Sequence, residues 1–499
     1  MSVQESRLGR VGSLGGSFIM RRMAGPIVAA MLLPCIALLV GRARAAEPAL
    51  SAADREFLDT LEERTFRFFW ETANPENGLV PDRWPTPGPS SIAAVGFGLT
   101  AYCVGVERAY ITREQAVERV RTTLRFFSEA PQTDDPSATA GHHGFYYHFL
   151  DMRTGFREWN CELSSIDTAL LMAGALACRE YFDRDDPAER EIRDLADSLY
   201  RRVEWTWMQP RGPLVCLSWR PENGFGPYDY GGYNETMLLY LLALGSPTHP
   251  IDPSAWEKYT STYQWADFYG YEHLNFGPLF GHQYSHAWID FRNIQDPFMR
   301  GKGIDYFENS RRATYSQRAY AVANPHGWRD YSADVWGLTA CDGPVDKKLL
   351  YAGQERQFHS YWARGVSAQY SNDDGTIAPT AAGGSIPFAP EICIPALRAM
   401  RGRYGENLFA KYGFLDSFNP SFAFQGLEST HGRVVEGSGW FDTDYLGIDQ
   451  GPLLLMCENY RSAMVWKLLK KNPDLQRGLK RAGFAGGWLD ERPETNAAR

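Results

Sequence analysis

Cysteine is scarce and none of it has metal-binding spacing: the 499 residues hold eight cysteines and no CxxC pair. Seven follow residue 45 (Cys103, Cys161, Cys178, Cys216, Cys341, Cys393 and Cys457), an odd number that argues against a disulfide framework or a zinc knuckle. Positive charge is not in excess either. Lys and Arg number 51 against 60 Asp and Glu, a formal charge of -9, and such a surface repels phosphate backbones instead of releasing their counterions, so no nucleic-acid partner is expected. The chain has no Walker A loop, no GxSxG elbow and no HExxH pair, which removes the motif-borne routes to nucleotide, esterase and metallopeptidase chemistry. No low-complexity linker, charge block or fixed-period repeat marks a domain boundary or a solenoid. Beyond residue 45 nothing approaches the ~20 apolar residues of a membrane helix.

What is present begins with an export signature. Arg21 and Arg22 precede an apolar run from Ile27 to Val40 that ends in Ala43-Arg44-Ala45, the pattern of a cleaved secretory signal. Met20 or Met23 would give that signal a more ordinary length, which makes residues 1–19 an expected over-called start. Residues 1–45 carry six arginines and one glutamate, so the remainder is more acidic than the whole. The expectation is a single domain over 46–499, periplasmic or secreted, without membrane contact once the signal is removed. With 44% hydrophobic and 14% aromatic residues, it is long enough to bury a large core.

Helical periodicity recurs along this part. Ser51 to Asp54 opens a helix whose Phe57, Leu58, Leu61, Phe66, Phe68 and Phe69 fall at largely helical spacing. Further helices are expected at 92–109, 112–127, 163–182, 188–205, 235–244, 304–323, 391–401 and 449–469, joined by long aromatic and glycine-rich connections at 223–232, 269–292 and 376–390. Helical hairpins without a sequence repeat close more readily into an (α/α) barrel than into an open stack. The GxGxxA string Gly96 to Ala101 lacks the second strand with a terminal acidic residue that a dinucleotide fold requires, and is expected to ease helix packing instead.

The chemistry points to acids among aromatics. Glu162, Asp167, Glu235, Asp442, Asp444 and Asp449 stand at or near expected helix starts. Paired carboxylates with ring platforms are what glycosidic cleavage needs, one kept protonated and one ionised. A helix N-terminus favours the ionised form, which suits Asp449, whereas Glu235, beside Tyr233 and the run Met237-Leu238-Leu239, is the group that burial would raise. His282 and His286, and the cluster His142, His143 and His148, show no ligand logic and read as hydrogen-bonding or core histidines.

Several strings carry a resemblance: PLFGHQYSHAWIDFR (278–292), ANPHGWRDYSADVWGLTACDGP (323–344), GTIAPTAAGGSIPFAPE (375–391) and GWFDTDYLGIDQGPLLLMCENYRSAMVW (439–466), with weaker similarity in ELSSIDTALLMAG (162–174) and GGYNETMLLYLLALGSP (231–247). They resemble the bacterial glucoamylase-like family, which contains the β-1,2-glucanases of glycoside hydrolase family 144. The resemblance implies an all-α (α/α)6 barrel that hydrolyses β-glucan with inversion and uses no cofactor or catalytic metal. It makes Glu235 the expected general acid, with Glu162, Asp444 and Asp449 as the other expected catalytic carboxylates. The expected substrate-binding set is Asp167, Asp442, Trp440, Tyr445, Gln450, His282, His286, Trp288 and Trp336. The WFDTD stretch at 440–444 is more acidic than expected of the family and is a candidate for tuning linkage or chain-end preference. A polysaccharide lyase or epimerase on a similar barrel, and a non-catalytic glycan-binding protein, are the competing expectations.

Overall fold

The computed structural model describes residues 50–491; the expected signal segment and alternative starts lie outside them. Helix α1 (Ala52–Thr72) begins where Ser51 Oγ accepts the Asp54 amide at 3.0 Å. It is followed by α2 (Ile92–Glu107) and α3 (Arg113–Glu129), the latter opened by the expected capping box of Thr112 and Gln115. Next come α4 (Ser165–Tyr181), α5 (Pro187–Arg202), α6 (Met237–Gly245), α7 (Ser254–Thr260), α8 (Tyr284–Trp288), α9 (Pro297–Lys302) and α10 (Tyr306–Ala323). The series ends with α11 (Pro379–Gly383), α12 (Pro390–Tyr404), α13 (Gly447–Arg461), α14 (Met464–Leu469) and α15 (Pro473–Arg481), before a last turn at Gly487–Asp490.

Two differences from the periodicity have local causes. The expected 449–469 helix is two, because Ala463 adopts φ 57° and breaks the ladder between α13 and α14. The connection 269–292 hides α8, which at five residues is shorter than any window in which a helical period shows.

The helices divide by burial. Every residue of α6, α8 and α11 is buried, as is α2 from Ile92 to Gly105, whereas α3 and α5 bury one stripe each; a helix apolar on all sides belongs inside. Among the buried helices α2 packs on α4, α4 on α6, α6 on α8, α11 on α13 and α13 on α2. Gln283, just before α8, donates from Nε2 to the Ala381 carbonyl of α11 at 2.8 Å. Outside them α3 lies on α2 and α5, α5 on α4, α15 on α6, and α12 on α11. The closest approach is between α2 and α4, where a Cβ on Gly96 would stand 2.3 Å from the Leu170 carbonyl oxygen and one on Gly174 2.1 Å from that of Gly96. The GxGxxA string is therefore a packing seam, as expected.

The long connections carry short strands, so the molecule is helix-rich but not free of β structure. Most strands are two residues long and pair antiparallel. Two three-stranded sheets form, one from Leu163–Ser164, Ser218–Arg220 and Gly224–Phe225, the other from Phe418–Asn419, Gly439–Phe441 and Arg433–Val435. Strands Ser90–Ser91, Leu163–Ser164 and Tyr445–Leu446 lead directly into α2, α4 and α13, which fixes the starts of these buried helices. No helix among the described residues is long and apolar enough to cross a membrane.

Candidate active site

The acidic residues of interest collect at the starts of the buried helices. Glu235 stands in the turn before α6, and its carbonyl accepts a 2.9 Å hydrogen bond from Ser285 Oγ, which holds the turn against α8. The side chain is only 6% exposed. Burial, with a smaller push from the charge of Asp167, raises its carboxyl to about 7, the upward direction expected from its apolar neighbours.

Around the start of α4 the balance is reversed. Glu162 Oε1 meets His148 Nδ1 at 3.0 Å and Oε2 accepts from Arg220 at 2.8 Å. Burial alone would raise this carboxyl, but the His148 hydrogen bond and charge and the Arg220 charge outweigh it and hold Glu162 at about 2. His148 Nε2 also lies 3.6 Å from Asp167 Oδ2. Although burial disfavours its cation, Asp167 and Glu162 raise His148 to about 9. Asp167 itself accepts from the Ser164 hydroxyl that caps α4.

A denser group surrounds Arg83. Its Nη1 reaches Asp342 Oδ2 at 2.8 Å and Asp444 Oδ2 at 3.4 Å, and its Nε lies 3.5 Å from Asp82. Asp444 Oδ1 accepts from the Thr86 amide and hydroxyl at 3.2 and 2.9 Å. Asp416 Oδ2 accepts the Asp342 amide at 2.7 Å, and Asp442 Oδ1 accepts the amides of Thr443 and Asp444 at 2.6 and 3.2 Å. The opposite oxygens, Asp342 Oδ1, Asp416 Oδ1, Asp442 Oδ2 and Asp449 Oδ2, are buried without a hydrogen-bond partner. Asp416 and Asp449 form a coupled pair. Burial, and then the Asp342 charge, raises Asp416 to about 7, while burial followed by Asp416 drives Asp449 well above the usual carboxylate range. The expectation that the α13 terminus keeps Asp449 ionised is corrected here: partial charges at a helix end are weaker than desolvation plus several adjacent full charges.

Glu235 and Asp449 share surroundings. The buried Tyr284 phenol is raised by burial and by the charges of Asp449, Tyr361, Glu235 and Asp167, so acids from both sides act on one hydroxyl. Tyr370 feels Glu235 as well and leaves 41% of its surface exposed; Trp159, packed on Phe149 beside His148, leaves 55%. A separate surface pocket lined by Arg64, Arg401, Lys411 and Arg433 includes none of these residues.

Comparison with known proteins decides the family. A protein-family model described as "Putative glucoamylase" matches residues 227–473. A crystal structure from Bacteroides uniformis, described in the same words, superposes with a TM-score of 0.74 at 33% identity, covering 89% of this chain and 100% of the other. The chain belongs to the glucoamylase-like family. Another solved relative is an endo-β-1,2-glucanase from Chitinophaga pinensis in complex with sophorotriose and glucose, with 29% identity, a TM-score of 0.74, and 88% and 100% of the two chains covered. An exo-β-1,2-glucooligosaccharide sophorohydrolase from Parabacteroides distasonis is 30% identical over 465 residues; the match takes in 86% of this chain and 58% of that relative's length.

Within this glucoamylase-like chain the expected residues fall into two sets. Glu162 and Asp167 meet at His148, Asp442 and Asp444 stand in the Arg83 group with Asp449 beside it, and Glu235 is linked electrostatically to Asp167 and, through Tyr284, to Asp449. Gln450 is near them, buried, donating to the Phe414 carbonyl at 3.0 Å with Oε1 unpartnered. The others fill the interior. Trp288 stacks on Phe97 and donates to Thr100 Oγ1 at 2.9 Å; Trp440 donates to the His431 carbonyl at 2.9 Å; the Tyr445 hydroxyl accepts the Tyr412 amide at 3.0 Å; and Trp336 is fully buried. His282 meets the Phe276 carbonyl and His286 the Ser310 hydroxyl, each at 3.2 Å, and burial depresses both, His286 to about 3. Both histidines are fully buried, as core groups would be, whereas the resemblance had placed them in the expected substrate-binding set. Arg83, Asp342, Asp416 and Tyr284 are not singled out by the sequence. Asp342 and Tyr284 lie inside the family strings, and Asp416 follows the short strand Gly413–Phe414 with no local signal at all.

Proposed function

We propose that the chain is an exported glycoside hydrolase that cleaves β-1,2-glucan, or oligosaccharides derived from it, with inversion, on a closed (α/α)6 ring formed by residues 46–499 as one catalytic domain. The observation that carries the reading is Glu235, a buried carboxyl that burial raises to about 7, in the surroundings of a tyrosine that also feels Asp449, one member of an acid pair with unpartnered oxygens. The two named relatives, both acting on β-1,2-linked glucan, supply the linkage. The N-terminal export signature supports a periplasmic or secreted location.

Glu235 is the proton donor to the leaving glycosidic oxygen, its burial keeping the proton in place at working pH. The Asp416–Asp449 pair, which holds one proton between two carboxyls, keeps one negative charge with which to take a proton from the attacking water. Such a pair titrates as a unit, so the base is the pair and not either residue alone. Glu162 and Asp444 have both oxygens engaged and serve to position and to set the field. Trp159 and Tyr370 offer exposed rings for sugar faces, and His282, His286, Trp288, Trp336 and Trp440 are assigned to packing. The lyase or epimerase reading gains nothing from Tyr284, because burial keeps its phenol protonated and so unavailable to take a proton.

The test is product analysis with linear β-1,2-glucan beside β-1,3-glucan and soluble starch. Cleavage of the first alone, with the α-anomer appearing first by NMR, is expected, and product length separates endo from exo action. Binding without turnover would instead favour a glycan-binding role.

A further inference from the structure

The aspartate group around Arg83 holds more buried carboxylate than its own donors satisfy. Asp342, Asp416 and Asp442 are 1%, 2% and 1% exposed, and one oxygen from each lies within 4.8 Å of those from the other two. Each has one oxygen tied down: Asp342 Oδ2 by Arg83, Asp416 Oδ2 by the Asp342 amide, and Asp442 Oδ1 by two amides. The remaining oxygens, Asp342 Oδ1, Asp416 Oδ1 and Asp442 Oδ2, have no hydrogen-bond partner, apart from the proton that Asp449 can share with Asp416. Ionised carboxylates buried without a donor are costly, and the cost is ordinarily met by a proton, a cation or a ligand.

A neighbouring triad, Asp342, His431 and Asp444, has similar spacing, but Arg83 and Thr86 already occupy the oxygens of Asp444. Of the two sets among the described residues, the three-aspartate one has an oxygen without a hydrogen-bond partner on every member. Its donors are hard oxygens with no nitrogen or sulfur, a set that suits Ca²⁺, Mg²⁺ or Mn²⁺ and not zinc or copper. Carboxylate oxygens bound at about 2.3–2.6 Å can stand up to about 5 Å apart across one ion, which accommodates the observed spacing.

The three residues come from separate connections: Asp342 just after the strand Ala340–Cys341, Asp416 between Gly413–Phe414 and Phe418–Asn419, and Asp442 just after Gly439–Phe441. A donor set assembled from irregular segments matches the variable geometry of calcium better than the strict octahedron of magnesium. We propose that Asp342, Asp416 and Asp442 bind one calcium ion, which ties these three connections together beside Asp449. The ion is structural. Asp416 also belongs to the proposed base pair, so there the ion and the shared proton are alternatives, and to that extent the inference rests on the proposed function; a metal titration without glucan reads the site whether or not that reading holds.

The test uses the full chain, purified without chelator for elemental analysis, then stripped with EDTA and titrated with calcium chloride or magnesium chloride. The expected result is one calcium per chain, a calorimetric signal from the metal alone in the absence of glucan, and a rise in Tm of roughly 3 °C or more. Magnesium should bind much more weakly. Asp416→Asn and Asp442→Asn should each weaken calcium at least about tenfold. Absence of heat and of any Tm change with millimolar calcium in the stripped wild type would overturn the proposal and leave protons as the neutralising species. Undiminished binding in both variants would overturn it equally, and if a variant does not fold the wild-type titration decides.

Discussion

Glu235 and the aspartates around Arg83 are buried to a similar degree, yet burial works on a solitary carboxyl in one place and on a crowd in the other. Glu235 is raised mainly by desolvation, with Asp167 the one charge adding to the rise, so its proton affinity is set chiefly by its own pocket. Asp416, Asp442 and Asp449 are raised by desolvation and by neighbouring carboxylates, Asp342 being common to all three, and Arg83 opposes the rise at Asp416. A lone group can be poised near pH 7 by the depth of its pocket. A crowd is poised only collectively, and its state depends on how many protons or counter-ions it holds. The contrast separates a proton donor from a charged surface that receives a proton.

The sharpest way to break this contrast is Glu235→Gln. If the solitary carboxyl is the donor, turnover of β-1,2-gluco-oligosaccharide should fall about 10³-fold, while Tm should change little, because an amide of the same shape replaces a buried acid that no cation pairs with. The matching change on the other side is Arg83→Met. It should cost about 3 kcal/mol in urea unfolding, the order of cost for leaving buried charges unpaired, and the loss should shrink as the pH is lowered, since protonation relieves the repulsion among the carboxylates that remain.

A smaller effect is expected at the third constellation. His148→Gln removes the cation that holds Glu162 low, and should cost about 2 kcal/mol at pH 6. His148 is raised from 6.5 to about 9, so its contribution is complete below 6.5 and lost as the pH rises through 9. The difference between variant and wild type should fade over that window in denaturant titrations. The smallest effect is at the half-exposed Trp159, where alanine should raise KM roughly fivefold with kcat nearly unchanged, the signature of a ring that holds substrate and transition state alike.

The sequence showed the fold where the signal is local. Ser51, Thr112 and the apolar stripes mark α1 and α3 within a residue or two, and the Gly96 to Ala101 string reports a close helix crossing. It was silent where an element is too short for its period to repeat, as with α8 and α11, and where a site is assembled over long separations. Asp342 and Asp416 stand 74 residues apart and meet only because separate strand ends converge, a juxtaposition that no spacing along the chain displays. Glu235 was legible because its apolar neighbours are adjacent in sequence. Asp449 was misread because its helix terminus is local and visible, whereas the carboxylates that overrule it come from elsewhere.

The most direct test of the central claim is the pH dependence of kcat/KM on a linear β-1,2-gluco-oligosaccharide, measured for the wild type and for Glu235→Gln. The account predicts a wild-type alkaline limb near pH 7, where Glu235 loses its proton, and no such limb in the residual activity of the variant. A limb near pH 7 that persists unchanged in Glu235→Gln would contradict it and move the titrating acid to the Arg83 side.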